Sequence, residues 1–271
     1  MAVNDISLTS GMRSNLLQLQ GTSKLIDRTQ ERLSTGKQVN SALDNPTNFF
    51  AAQAHINRAS DFAVRKDGMA EGIQTAKAAD AGITSISALV EAAKGIAAAA
   101  LGTSSTTDRA AFAAQFTTLQ AQITSLSSDS GYRGTNLLNS QNLVVNFNED
   151  ATASLTVNGF NATAAGLSVN NQTNNWAGST DITTAQADLK KASDQLRSKS
   201  KDLANNLNII STRQNFTDAM IGTLQTGADN LTLADMNQEG ANMLMLQTLQ
   251  NLGTTALSLS SQAAQSVLRL F

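Results

Sequence analysis

Few side chains in this sequence could do chemistry. It has 0 Cys, so thiol nucleophiles, disulfides and thiolate metal sites are excluded. It has 1 His, His55, which rules out a zinc site of ordinary composition and leaves no support for a Ser-His-Asp relay. His55 falls within a helical pattern and reads as a core or surface residue. Asp235 and Glu239 stand four apart on one helical face, and without a pocket such a pair is a solvated face or a cap. Gly36-Lys37 is not a phosphate loop, because Glu31 and Gln38 occupy the positions where that pattern needs Gly and Ser/Thr. Asn161, Asn171, Asn215 and Asn230 match the N-x-[ST] acceptor pattern, as chance allows in so Asn- and Thr-rich a chain. No enzyme class, cofactor or metal is expected. The formal net charge is -2 and the pI about 5.4, a balance without the basic stripe of a nucleic-acid binder.

The remaining residues specify long helices. Hydrophobic residues make up 41% and aromatics 4%, with 1 Pro, so the core must come from Ala, Leu, Ile and Val on helical stripes. Residues 5 to 33 read as a helix, with Met12, Leu16, Leu19, Ile26 and Leu33 on one stripe and Leu8, Leu17 and Leu25 off it. One partner helix would leave the second set exposed. Ser34-Thr35-Gly36-Lys37 and Asp44-Asn45-Pro46 stop the helix and mark 34 to 48 as a connector.

An Ala-rich pattern over 50 to 100 places Met69, Ile73, Ala76, Ile83, Ile86, Val90, Ala93 and Ala97 on one seam, interrupted by Gly68, Gly72, Gly82 and Gly95. After a polar turn, capped at Thr107 or Asp108, a further helix carries Phe112, Phe116, Leu119, Ile123 and Leu126. Residues 143–147 and 154–157 predict a β-hairpin, with a third strand near Leu167-Ser168-Val169 and Trp176 plugging a satellite cluster.

From Asp181 a helix of about 45 residues, roughly 65 Å long, carries Ile182, Ala185, Leu189, Ala192, Leu196, Leu203, Leu207, Ile210, Ile221 and Leu224 on one seam. The last segment, 233 to 271, has two apolar stripes, one with Met245, Leu249, Leu252, Leu259 and Leu270, the other with Val267 and Phe271. No charge lies between Gly240 and Leu268. A helix with two apolar stripes needs more than one neighbour. The expected fold is mainly α: a long antiparallel helical rod or coiled-coil bundle with one small β-hairpin region.

Three stretches together resemble bacterial flagellin. Gln30-Glu31-Arg32-Leu33-Ser34-Thr35-Gly36-Lys37 with Asn40-Ser41-Ala42-Leu43-Asp44-Asn45 is similar to the family's Leu-Ser-x-Gly…Asn-Ser-Ala-x-Asp-x signature. Tyr132-Arg133-Gly134-Thr135-Asn136-Leu137-Leu138 is similar to its aromatic-x-Gly-x-x-Leu-Leu element. Leu233-Ala234-Asp235-Met236-Asn237-Gln238-Glu239 and the run from Leu257 to Phe271 resemble its C-terminal block. Pro46, Phe49-Phe50 and the terminal Phe271 depart from the usual pattern.

The resemblance implies a subunit that polymerises into the bacterial flagellar filament for motility, in a short form without variable outer domains. It implies inner-tube helices from 1–35 and 235–271, a connector at 36–48, and a rod domain over 49–234 with its hairpin at about 140–172. Met12, Leu16, Leu19, Ile26, Leu33, Met245, Leu249, Leu252, Leu259, Val267, Leu270 and Phe271 are the expected inter-subunit packing residues. Both ends are expected to be disordered in the monomer and to order on assembly.

The expected partners are other copies of the chain, an export chaperone on the C-terminal helix, and junction and cap proteins, with no nucleic acid and no membrane. The expected place is the extracellular filament, reached through the flagellar type III channel; Met1-Ala2-Val3-Asn4-Asp5-Ile6 has no secretory-signal pattern. Scarce aromatics and absent Cys suit passage as an unfolded chain. Thr152, Ser154, Thr156, Thr163, Ser168, Thr173, Ser179 and Thr180 are the candidate O-glycan carriers, with plain solubilising polarity as the alternative reading. Glu91-Ala92-Ala93-Lys94 stands where receptor-stimulating members carry Arg-x-Arg-Glu, which implies weak activation of the host innate receptor. The alternatives are a hook–filament junction protein, a membrane-inserting translocator subunit and a soluble helical adaptor.

Overall fold

Helix boundaries in this protein are set by small polar residues placed at chain positions where backbone groups lack partners. The computed structural model describes residues 10–169 and 173–268, with side chains up to Ser266 at the C-terminal end. Five α-helices occur among the described residues: α1 (Ser10–Thr35), α2 (Pro46–Gly102), α3 (Thr106–Asp129), α4 (Ser179–Thr232) and α5 (Met236–Leu268). One antiparallel hairpin, β1 (Leu143–Asn146) and β2 (Ser154–Val157), separates α3 from α4. The chain forms two units, a terminal one (1–58 with 223–271) and a central one (59–222).

The caps explain the boundaries. Gly36 adopts φ 70°, and its N–H donates to the Arg32 carbonyl at 2.8 Å, which closes α1. Asn45 opens α2 by accepting from the Asn48 N–H at 3.1 Å, with Pro46 at the first helical position. Ser105 caps α3 by accepting from the Asp108 N–H. That displaces the cap expected at Thr107 or Asp108: both lie inside the helix, because the turn before it is already fixed by Thr103 and Arg109. Arg109 donates to the carbonyls of Thr103 at 2.8 Å, Ala100 at 3.3 Å and Ala177 at 3.1 Å. Helix α4 has 54 residues rather than the expected 45, since it begins at Ser179 and neither Gly222 nor Gly227 breaks it.

In the central unit the predicted seams form the core. Met69, Ile86, Val90 and Ala97 of α2 meet Phe116 and Ile123 of α3 and Ile182, Leu189, Leu196 and Ile210 of α4, all at most 1% exposed. Each such large side chain contributes about 1.5–3 kcal/mol. The Ala-rich part of α2 reaches a mean hydropathy of 1.3 over 18 residues, enough on length and composition to cross a membrane. Its larger side chains Ile83, Ile86 and Val90 instead line this core.

The hairpin pairs Leu143 with Val157 and Val145 with Leu155. Its alternation turns Val145, Phe147 and Val157 inward and leaves Val144 exposed. The expected third strand does not form. Thr163 accepts from the Leu167 N–H at 2.9 Å, and Ser168 has φ 60°, so the segment is wound as a turn. Its Asn161 carboxamide oxygen accepts from both the N–H and hydroxyl of Thr163, which starts that turn. Pairing to the 137–140 stretch is made by Phe160 and Ala162, whose N–H groups donate to Leu137 and Leu138. Trp176 is 0% exposed and rests on Phe116 with ring centroids 4.9 Å apart, in the main core rather than a satellite cluster.

Two of the α2 glycines are docking positions. A Cβ on Gly72 would lie 2.8 Å from Val145 of the hairpin. One on Gly82 would lie 2.6 Å from Leu138 and 2.8 Å from the Cβ of Ser130. Gly68 and Gly95 face open space. Gly68→Ala and Gly95→Ala should therefore each stabilise the protein by about 1 kcal/mol, and Gly82→Val should destabilise it by about 1–3 kcal/mol, as read by thermal unfolding.

Candidate functional site

The candidate packing residues that the structure describes lie on α1 and α5, which run along each other within the terminal unit. The connection at one end of this pair is heavily hydrogen-bonded. Gln38 and Val39 donate their N–H groups to the Thr232 carbonyl at 2.7 and 3.2 Å, and Ala234 donates to Gly36 at 3.0 Å. Asp235 caps α5 by accepting from the N–H groups of Asn237 and Gln238. Arg32 donates to Glu239 at 2.9 Å, and the Glu239 side chain is only 8% exposed. Asp235 and Glu239 thus have separate tasks, one as a cap and one as the partner of Arg32.

Away from that end the two helices cover little of each other. Among the 26 residues of α1, Met12, Thr22 and Thr29 are buried. Among the described side chains of α5, Glu239 and Leu246 are. Leu19, Ile26 and Leu33 are half-buried, while Leu16, Leu17 and Leu25 are exposed, Leu17 at 69%. On α5, Leu244, Met245, Leu249, Leu252 and Leu259 are all exposed. Val267 lies in α5 with its side chain outside the described set, and Leu8, Leu270 and Phe271 lie outside the described residues. A groove of about 240 Å³ runs between the helices, lined by Leu19, Thr22, Leu249, Leu252, Gly253 and Ala256 among others. Its floor is set by Gly253, where a Cβ would come 2.9 Å from Leu19.

The connector holds a feature that periodicity did not single out. The Asp44 carboxylate accepts from the Ser41 N–H at 2.9 Å, and from the Ser41 hydroxyl and the Asn40 N–H at 3.1 Å each. This closes a turn whose tip, Leu43, is 96% exposed. The short polar residues Asn40, Ser41, Asp44 and Asn45 were the available signal, because such side chains satisfy local backbone groups. In the central unit, the 132–138 element is a tight turn with Arg133 at φ 46° and Gly134 at φ 84°. Asn136 there donates to the Ser127 and Ser128 carbonyls and caps α3. Leu137 and Leu138 are buried behind it.

Of the expected glycan carriers, Thr152, Ser154, Thr156, Ser168, Thr173, Ser179 and Thr180 are exposed. Thr163 is half-buried, and its hydroxyl bonds Asn161. Glu91 and Lys94 pair with each other at 2.7 Å on α2. His55 is half-buried beside Gly227.

Comparisons with known proteins identify the family. Residues 3–143 match the family model described as the bacterial flagellin N-terminal helical region. Flagellin FljM of Caulobacter vibrioides is 31% identical over 277 residues, covering 100% of both chains. A flagellin of Brucella melitensis is 28% identical, covering 97% of this chain and 98% of its own. A crystal structure of Bacillus cereus flagellin overlaps 55% of this chain and 88% of its own, with a TM-score of 0.49 and 16% identity. The chain belongs to the bacterial flagellin family, in its short alphaproteobacterial-type form. It is a structural subunit that polymerises with other copies of itself into the extracellular flagellar filament.

The Asp44 turn has a pH signature. The hydrogen bond from the Ser41 backbone N–H holds the Asp44 pKa below its ordinary 3.8; desolvation opposes it, and the Ser41 hydroxyl, the Asn40 N–H and the charge of Arg32 add to the lowering. A lowered folded pKa means the turn has its full hold above the ordinary value and loses it as pH falls through the folded one. The Ser41 amide resonance should follow that titration, and Asp44→Asn should abolish the dependence.

Proposed function

We propose that the filament is built through the apolar faces that α1 and α5 leave uncovered. In this reading 1–35 and 235–271 form its inner layer, 36–48 the connector and 49–234 the surrounding body. The supporting observation is the charge-free stretch from Gly240 to Leu268, on which Leu244, Met245, Leu249, Leu252 and Leu259 stand 46–68% exposed. Ordering a residue costs about 1–2 kcal/mol in backbone entropy, and Met12 and Leu246 are the only large apolar side chains of α1 and α5 fully buried among those described. The pair therefore gains its order from neighbouring copies. Heterologous contacts between different patches of successive copies extend without closing, which is what a filament requires.

The same exposed α5 face suits capture by an export chaperone before assembly, and contact with junction and cap proteins at the filament ends. The chain is read as leaving the cell through the flagellar type III channel without a cleaved signal. The exposed Ser and Thr of 152–180 are read as O-glycan carriers, which intact mass of the native filament would reveal.

Purified protein brought to assembly conditions should give long filaments in the electron microscope. Capping without elongation would mark a junction protein, and liposome insertion without filaments a translocator. Deleting 235–271 should abolish both filaments and chaperone co-purification; retention of either contradicts this role of α5.

A further inference from the structure

The terminal unit carries both a projecting apolar tip and a groove with an apolar α5 wall, at different places along it. Leu43, at 96% exposed, is held out by the Asp44-closed turn, a built support rather than a loose loop. The groove between α1 and α5 is centred on Leu19 and Gly253. Leu19 precedes the end of α1 by 16 residues, about 24 Å at 1.5 Å per residue. A copy does not fill its own groove, since its Leu43 is in solvent.

We propose that Leu43 of one copy seats in the α1–α5 groove of the next, as a head-to-tail contact within the filament. This rests on the assembly reading above, and adds to it a specific pair of complementary surfaces. The charges agree with that occupant. Asp44 is the only charged residue from Gln38 to Asn57, negative and exposed beside Leu43. The charges on α1 from Ser10 to Ile26 are Arg13 and Lys24, both positive and exposed, and the α5 side of the groove has none. The α5 side of the groove presents Leu249, Leu252 and Ala256 around the Gly253 floor, and the α1 side presents Leu19 among Asn15, Gln18 and Thr22, so an entering leucine meets apolar surface on α5 and at Leu19. Because tip and groove are different patches displaced along the chain, their contact propagates and has a direction.

The absence of native Cys makes the test clean. Under oxidation, filaments of the Leu43→Cys, Ala256→Cys double variant should give a ladder of covalent multimers that reductant collapses. The two single variants co-assembled should give dimers, and neither alone should give any; this mixture also serves if the double variant assembles poorly. Leu43→Asp should raise the critical concentration for assembly about ten-fold, equivalent to about 1.4 kcal/mol, with Leu43→Met close to the parent. Parent filaments whose variants give neither ladder nor dimers overturn the contact, as does an unchanged critical concentration in Leu43→Asp. A parent chain that never polymerises overturns instead the assembly reading beneath it.

Discussion

An apolar stripe on a helix is stable when another surface covers it, and two stripes facing different ways need two surfaces. Helices α1 and α5 have one another. Their pairing buries Met12 and Leu246 but leaves Leu17 at 69% and Leu244 at 68% exposed. In the central unit the same kind of helix is satisfied: three helices and a hairpin close around Ile86, Phe116, Leu189 and Trp176, each 0–1% exposed. The difference between the units is therefore one of available cover rather than of sequence composition. A polymer supplies the missing cover from copies of the same chain.

The polar residues decide where that cover can be offered. Gly36, Asn45 and Asp235 end or begin helices, and Asp44 closes the connector turn, by binding backbone groups that would otherwise lack partners. The Arg32–Glu239 pair and the bonds from Gln38 and Val39 to Thr232 fix the ends of α1 and α5 together. The resulting terminal unit is firm at the connector and sparsely packed along the helix pair. Firmness there lets an exposed leucine be presented in a set position; sparse packing along the pair leaves surfaces for neighbours.

Much of this was legible in the sequence. The seam from Ile182 to Leu224 is the buried face of α4, and the seam from Met69 to Ala97 that of α2, because a stripe with one covering core has one period. Legibility failed where a few residues outvoted periodicity. Leu167-Ser168-Val169 has a strand-like pattern, yet Asn161 and Thr163 start a turn just before it. Gly72 and Gly82 read as defects in a helix and are the places where the hairpin and the 130–138 turn approach it most closely. Trp176 sits in a polar stretch that gives no hint of Phe116, which is sixty residues earlier. On α1 and α5 the stripes were visible, but periodicity alone does not say whether the cover is inside one chain. The connector was legible as a helix stop, while the cage around Asp44 depends on the three-dimensional path of Asn40 and Ser41.

Amide hydrogen exchange compared between dilute monomer and assembled filament addresses the missing cover directly. Rapid exchange over α1 and α5 in the monomer, strong protection of the same amides in the filament, and protection of the central unit in both are the expected results. Strong protection of α1 and α5 in the monomer at low concentration would show that one chain covers these helices by itself, and would contradict a need for neighbouring copies.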